Sequence, residues 1–189
     1  TLNKNSSTNN ATALTWTARG PNNVGGRTRA LGIDKRSVTP DVIILAGGVS
    51  GGIWRSTDDG NTWNSVTSAS QLHSVTCLIQ DKRSSKEGTW YAGTGEAVGN
   101  SASGSDVSTF LGDGIFTSTD NGLTWNVIPS TSNSTPQSFD QASEFVHNIA
   151  IDISNTSPDE IYVAASQTIQ PNTHGGVGWV ISLGTSSVR

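Results

Sequence analysis

The side chains of this sequence that could do chemistry are a few carboxylates, arginines and histidines. Glu96 and Asp106 lie ten residues apart in a segment rich in glycine and serine. Two carboxyl groups can act as general acid and base in glycoside hydrolysis when the fold holds them at a suitable separation. Their spacing along the chain does not set that separation, so solvated loop carboxylates are the alternative interpretation.

Arg27 and Arg29 form a possible cation pair two residues apart. A guanidinium group binds a carboxylate through two parallel hydrogen bonds, so these residues could hold the acid group of a sugar. The alternative is that they form ion pairs with carboxylates of neighbouring loops. The sequence does not distinguish between binding of a sugar acid group and ion pairing within the protein.

His73 and His147 each precede or begin a similar apolar segment and are expected to be polar residues where a strand begins. Two histidines without a third ligand do not make a zinc site, so no metal is predicted, and no cofactor is predicted either. Further polar residues expected at the same edge of the molecule are Asp106, Asp140, Glu144 and His174.

The elements that position these residues are repeated along the chain. The eight residues from Ser56 to Trp63 read STDDGNTW, and those from Ser118 to Trp125 read STDNGLTW. In each copy the aspartate can accept hydrogen bonds from following amides, and the glycine two places later can adopt a positive φ. Because short apolar runs lie on both sides, each motif predicts the turn of a β-hairpin. The residues assigned this structural role are Ser56, Asp58, Gly60, Thr62, Trp63, Ser118, Asp120, Gly122, Thr124 and Trp125.

Two more strand-like segments precede each motif, and a third copy of the pair follows the second motif. The first occurs at residues 28–34, 75–81 and 146–152, and the second at 42–47, 89–93 and 160–164. The repeated unit therefore has four short strands and little helical periodicity. Units of roughly 45 to 70 residues with four antiparallel strands are typical of β-propeller blades, which predicts an all-β propeller fold.

The motif with serine, aspartate, glycine, threonine and tryptophan resembles the Asp-box, or bacterial neuraminidase repeat, of sialidase, xyloglucanase and sortilin-like propellers. Residues 16–30 and 93–96 are most similar to secreted multi-blade propellers of Bacteroidota-type bacteria that have no assigned activity. The resemblance covers about residues 14–166 and implies a secreted or cell-surface bacterial protein. Sialidases place a catalytic arginine in a Phe/Tyr-Arg-Ile-Pro motif, which residues 26–30 do not match.

The repeats divide the chain into a partial propeller of about three blades. We expect a disordered segment at 1–13, the last strand of a closing blade at 14–19, blade 1 at 27–67 and blade 2 at 74–129. Blade 3, at 145–189, is expected to lose the pattern after its second strand: residues 175–184 occupy the place of a third strand and turn but lack the aspartate and the Thr-Trp pair. Remaining blades would belong to a longer parent chain. The long connections at 93–114, 130–144 and 166–175 should lie on one edge, where binding loops usually lie, with the Asp-boxes on the opposite edge.

Composition excludes several classes of protein. The net charge is −4 and the eleven lysines and arginines form no basic stripe, so nucleic acid is not an expected partner. No apolar run reaches the length of a membrane span. The single cysteine, Cys77, excludes an internal disulfide and is expected to be an inert buried thiol.

The function predicted from these features is a non-catalytic binding or interaction scaffold whose loops contact a glycan or an extracellular protein. One alternative is a fragment of a sialidase-like or xyloglucanase-like glycoside hydrolase. The other is a structural subunit that self-associates through open strand edges, because an unclosed arc of blades leaves such edges unpaired.

Overall fold

The chain folds into antiparallel β-sheets. The computed structural model describes residues 27–38, 40–68, 71, 74–96, 110–132, 145–154, 160–169 and 173–182. Among them there is one short 3-10 turn, Pro129–Thr131, and no α-helix. None of the described segments forms a helix with the length and apolar character needed to cross a bilayer. The all-β prediction is confirmed.

The strands form three sheets. Sheet 1 contains β1 (Thr28–Ile33), β2 (Ile44–Gly48), β3 (Gly52–Ser56) and β4 (Asn64–Ser65), paired in chain order. Sheet 2 contains β5 (Val75–Gln80), β6 (Trp90–Thr94), β7 (Ile115–Ser118) and β8 (Asn126–Val127), also in chain order. Sheet 3 contains β9 (Phe145–Ile151), β10 (Glu160–Ile169) and β11 (Thr173–Ser182), with β10 in the centre. The predicted four-stranded antiparallel units are present twice.

Sheet 3 differs from the expectation. We expected a long connection at 166–175 and then residues 175–184 in the place of a third strand, but β10 extends to Ile169 and β11 already begins at Thr173. The two strands pair along their whole length, from Glu160 opposite Ser182 to Ile169 opposite Thr173. Backbone groups form this ladder, so a segment without the turn motif can still add a strand. The expected segments at 1–13 and 14–19 lie outside the described residues.

The register between the first two strands is the same in all three sheets. Ala30 pairs with Gly47, Cys77 with Gly93, and Asn148 with Ala164. Each sheet has a one-residue β-bulge just before this pair, where the extra residue is Arg29, Thr76 or His147. The sequence repeat is therefore a repeat of backbone geometry as well.

The sheets pack face to face in chain order. The cluster between sheets 1 and 2 contains Ala30, Leu45, Ile53, Val75, Trp90, Ala92, Phe116 and Trp125. The cluster between sheets 2 and 3 contains Tyr91, Ile115, Ile128, Val146, Ile149, Ile161, Val163 and Ala165. Sheet 2 is thus covered on both faces.

A glycine allows close approach at each of these two interfaces. A methyl group at Gly47 would lie 2.4 Å from Val75 Cγ1, and one at Gly93 would lie 2.4 Å from Val146 Cγ1. Both distances are far shorter than a carbon–carbon contact. The first strand of each following sheet can therefore pack directly against the backbone of the preceding sheet.

Candidate functional site

The main polar cluster at the loop edge is an ion-pair group of three residues that connects sheets 1 and 2. Arg29 Nη1 donates to Glu96 Oε1 at 2.7 Å, and Arg27 Nη2 donates to Glu96 Oε2. The carboxylate is buried, with 1% of its side chain exposed, whereas the side chains of Arg27 and Arg29 are 37% and 44% exposed. We call this group the guanidinium clamp. With two guanidinium groups and one carboxylate it carries a formal charge of +1.

Local backbone geometry aims the clamp residues at one another. Arg29 is the extra residue of the bulge in β1, and a bulge turns a side chain away from the regular alternation. Glu96 follows β6 and forms a two-way backbone bridge with Phe110, in which the N···O distances are 2.7 and 3.0 Å. Gly95 N also donates to Ser74 O at 2.7 Å. The bridge joins the two ends of the long 97–109 connection, and the clamp fixes that junction to sheet 1.

The clamp bears on the two uses of the arginines considered above. Arg27 and Arg29 pair with a carboxylate of this chain, which is the ion-pair interpretation. Both Glu96 oxygens already accept hydrogen bonds from arginine, so the side chain does not present an exposed oxygen to a substrate. Asp106 lies outside the described residues, so the predicted Glu96–Asp106 pair stays a prediction.

The histidine and acidic candidates are not gathered into a metal site in the described part of the chain. His147 is the extra residue of the bulge in β9, and its Nε2 lies 2.8 Å from Ser166 Oγ. No group of three histidine, cysteine, aspartate or glutamate side chains among the described residues could hold a metal ion. His73, Asp140 and Glu144 lie outside the described residues, as does the side chain of His174.

The bulge residue of the middle sheet also makes a contact between sheets. Thr76 Oγ1 donates to Val146 O at 2.5 Å and lies 3.2 Å from Gly93 O. Two of the three bulge residues, Arg29 and Thr76, thus connect neighbouring sheets, whereas His147 contacts Ser166 of its own sheet, and sequence reasoning did not predict this use of the bulge positions. Their side chains differ in type, so the only available signal was their equal place in the repeat.

A cleft of about 510 Å³ lies beside the clamp. Its wall is continuous with the clamp, because Val49 N donates to Arg27 O at 2.9 Å and Phe110 pairs with Glu96. The described residues that line it are uncharged: Val49, Ser50, Gly51, Gly52, Ser65, Thr67, Ser68, Gln71, Ser74, Phe110 and Leu111. Sequence reasoning did not find this cleft, because its residues come from four separate segments.

Two side chains give the cleft its chemical character. The Ser74 hydroxyl is buried and has no hydrogen-bond partner among the described residues. A buried hydroxyl without a partner costs about 1–3 kcal/mol, which a ligand atom could recover. Phe110 is 37% exposed and supplies an apolar surface on the same wall.

The first Asp-box-like turn lies at the opposite end of β3 from the cleft. Ser56 Oγ donates to Asp58 Oδ1 at 2.8 Å and accepts from Gly60 N at 2.9 Å. Asp58 Oδ1 accepts from Thr62 N at 2.8 Å, and Asp58 Oδ2 accepts from the Thr62 hydroxyl at 2.7 Å. These hydrogen bonds from the amide and hydroxyl of Thr62 lower the pKa of Asp58.

The second turn repeats this geometry with Asp120 and Thr124. Asp120 Oδ1 accepts from Thr124 N at 2.9 Å, and Oδ2 accepts from the Thr124 hydroxyl at 2.6 Å. Burial alone would raise the pKa of Asp120, but the hydrogen bonds from Thr124, Ser118 and Leu123 outweigh it and lower the pKa to about 2. The carboxylates in both turns bond to their own turn, which is a structural use.

The sequence analysis also did not predict a group of hydrogen bonds that connects sheets 1 and 2. Asn121, in the second turn, donates to Asp34 Oδ2 at 2.7 Å and accepts from Trp90 Nε1 at 2.8 Å. Asp34 also accepts from Arg36, and Asp81 accepts from Arg83 in the same way. The sequence feature that could have indicated these bonds is the tripeptide Asp-Lys-Arg, which directly follows both β1 and β5.

Comparison with known proteins does not assign a family. No family model matches the chain, and no curated protein matches it significantly. The argument about function therefore depends on the clamp, the cleft and the repeated turns.

Proposed function

We propose that this protein is a non-catalytic binding module that holds a glycan in the cleft beside the guanidinium clamp. The observation that carries this proposal is the composition of the cleft wall: hydroxyl and amide groups, one exposed aromatic ring, and no charged side chain among the described residues. Sugars offer hydroxyl groups to the polar atoms and C–H surfaces to the ring. Clefts of a few hundred Å³ with a few placed polar groups are typical of small-ligand sites.

The clamp supports a scaffold in preference to a hydrolase. A glycosidase needs a carboxyl group that can reach the glycosidic bond. Glu96 instead connects the base of the 97–109 connection to Arg27 and Arg29, and its side chain is buried. Its contacts suit the positioning of a loop, whereas no contact of Glu96 favours catalysis.

We further infer that the three sheets are successive blades of an Asp-box β-propeller whose remaining blades belong to a longer parent chain. The support is the equal strand order of sheets 1 and 2, the equal register of all three sheets, and the equal hydrogen bonding of the two turns. A secreted or cell-surface bacterial location follows from the motif resemblance and forms part of the same proposal.

Binding of oligosaccharides to the 189-residue chain tests the proposal. A glycan array should identify a neutral ligand, and calorimetry should then show that Phe110→Ala raises its Kd about tenfold or more, because the aromatic wall is removed. Leu123→Ala is the matched control, since Leu123 is 53% exposed on the turn at the far end of the sheet. Its Kd should equal that of the wild type.

Three results would contradict this function. The first is an array without any bound glycan while a protein partner is captured. The second is equal affinity of the wild type and the Phe110→Ala variant. The third is turnover of aryl glycosides by the wild type that is lost in Glu96→Gln, which would establish the hydrolase alternative.

A further inference from the structure

Beyond ligand binding, we propose that the pair Asn121 and Gly122 is a site of spontaneous deamidation that the contact between sheets 1 and 2 keeps blocked. The pair lies in the second turn and is the only Asn-Gly sequence in the chain. The modification takes place when the two sheets separate locally, and its product weakens the contact that had prevented it. The co-reactant is water, and the cleft and its ligand take no part.

The reaction begins at the backbone nitrogen of Gly122. This nitrogen loses its proton and bonds to Cγ of Asn121, the Cγ–Nδ2 bond breaks, and ammonia leaves, which closes a succinimide ring. Water then adds to either carbonyl of the ring and opens it, leaving an aspartyl or an isoaspartyl residue at position 121. Glycine in the second place favours the attack, because no side chain hinders the approach of its backbone nitrogen.

The turn holds the attacking nitrogen. Gly122 N donates to Ser118 Oγ at 2.9 Å, and the buried Ser118 hydroxyl donates to Asp120 Oδ1 at 2.7 Å. Gly122 also packs closely against sheet 1, since a methyl group there would lie 2.8 Å from Leu45 Cδ1. The N–H proton is therefore bound and shielded from solvent, and the packing leaves the backbone little room to rotate.

Contacts from both sheets hold the amide that would be attacked. Asn121 Nδ2 donates to Asp34 Oδ2 at 2.7 Å, and Asn121 Oδ1 accepts from Trp90 Nε1 at 2.8 Å. The amide has this orientation because an ionised carboxylate only accepts hydrogen bonds and an indole nitrogen only donates them. Arg55 Nε also donates to Asn121 O at 3.1 Å. Ring closure requires rotation about the bonds between Cγ and the next backbone nitrogen. The contacts with Asp34 and Arg55, which oppose this rotation, exist only while sheet 1 is in place.

The product does not fit the contact between the sheets. Deamidation replaces the Nδ2 donor by a carboxylate oxygen, which faces Asp34 Oδ2 and repels it. An isoaspartyl residue also adds a methylene group to the backbone, in a turn where Asn121 and Gly122 both have positive φ. The first turn cannot lose ammonia in this way, because its corresponding residue is Asp59, with a φ of 58° against 61° for Asn121.

Peptide mapping by mass spectrometry tests the block. In mildly alkaline buffer the urea-unfolded protein should deamidate at Asn121 at least about tenfold faster than the folded protein, because the reaction then needs no local opening. In the folded protein, Asp34→Ala and Ser118→Ala should each raise the rate about tenfold, since each removes a hydrogen bond that opposes ring closure. The matched controls Asp81→Ala and Ser56→Ala make the same changes at the corresponding positions of the repeat, and both should deamidate much more slowly than the two test variants.

Replacement of Asn121 tests the consequence of the modification. Asn121→Asp should lower the urea midpoint of unfolding, and Asp34→Asn added to it should recover part of the loss, because an amide again faces a carboxylate. Equal deamidation rates of the folded and the unfolded protein would overturn the proposal. So would rates of Asp34→Ala and Ser118→Ala no higher than those of their controls, or an Asn121→Asp variant as stable as the wild type.

Discussion

At the scale of the residue, carboxylate side chains have three different structural roles in this molecule. Asp120 closes a turn, Asp34 connects two sheets, and Glu96 holds two arginines. In each case a carboxylate accepts several hydrogen bonds, and their donors decide the role. Burial favours a higher pKa for Asp34, yet the hydrogen bonds from Arg36, Gln80 and Asn121 lower its pKa overall.

The lowered pKa of Asp120 predicts loss of stability in acid. Its folded pKa of about 2 lies below the unfolded value near 3.8, so the stabilisation is complete above the unfolded pKa and is lost as the pH falls from about 4 to 2. Denaturant unfolding at a series of pH values should show this fall in the wild type. Asp120→Asn should be less stable at pH 7 and should show a shallower fall, because that titration is absent. Equal slopes in the two proteins would contradict the assignment.

Cys77 illustrates the effect of packing on a single group. Burial raises the pKa of its thiol to about 11, although hydrogen bonding from Gly93 and Thr76 acts in the opposite direction. The thiolate is the reactive form of cysteine. The high pKa therefore agrees with the inert thiol expected from the apolar run around it.

At the scale of the element, the two turn motifs are alike but their tryptophans are not. Both turns have a non-glycine residue with positive φ, Asp59 or Asn121, followed by a glycine with positive φ. Trp125 is buried at 4% exposure in the cluster between sheets 1 and 2, whereas Trp63 is half-buried. Sheet 2 is covered by a neighbour on both sides and sheet 1 on one, which accounts for the difference.

Replacing the two tryptophans should therefore have unequal effects. Trp125→Ala should cost about 3–5 kcal/mol of unfolding free energy, the usual range for a buried large aromatic side chain. Trp63→Ala should cost clearly less, because part of its ring already contacts solvent. Chemical denaturation of both variants measures this. Equal losses would mean that the two hairpins are anchored to the same extent.

A Trp125→Phe variant separates the loss of the aromatic ring from the loss of the indole nitrogen. Within the described part of the chain, Trp125 Nε1 has no hydrogen-bond partner. Trp125→Phe keeps an aromatic ring and removes an unpartnered donor, so its loss should be much smaller than that of Trp125→Ala. A Trp125→Phe variant as unstable as Trp125→Ala would show that the indole nitrogen matters.

At the scale of the whole molecule, the spacing between sheets depends on single glycines. A methyl group at Gly93 would meet Val146 at 2.4 Å and Cys77 Sγ at 2.6 Å. Gly93→Ala should therefore destabilise the protein by about 1–3 kcal/mol through overpacking between sheets 2 and 3. Thermal unfolding should show a lower Tm for this variant.

A matched glycine is available at the cleft. A methyl group at Gly51 would come no closer than 3.7 Å to its nearest neighbour, Trp54 Nε1. Gly51→Ala should therefore leave the Tm nearly unchanged. If Gly93→Ala were as stable as Gly51→Ala, sheets 2 and 3 would not be in the close contact described here.

Local features of this protein could be predicted from its sequence because neighbouring residues make them. The aspartate, glycine and threonine of each turn lie within a few residues of their partners, and the repeats revealed the antiparallel strands β1 to β10. Residues 175–184 were expected in the place of a third strand, but the length of β10 and β11 was not predicted, because a backbone ladder needs no particular motif.

Only the tertiary structure determined which partners the polar side chains at the loop edge contact. Arg27 and Glu96 are 69 residues apart, and they meet because a bulge turns the strand and two sheets stack with a glycine between them. The cleft and the Asn121–Asp34 hydrogen bond arise from the same stacking. Contacts between distant segments depend on the relative position of whole sheets, which no short stretch of sequence encodes.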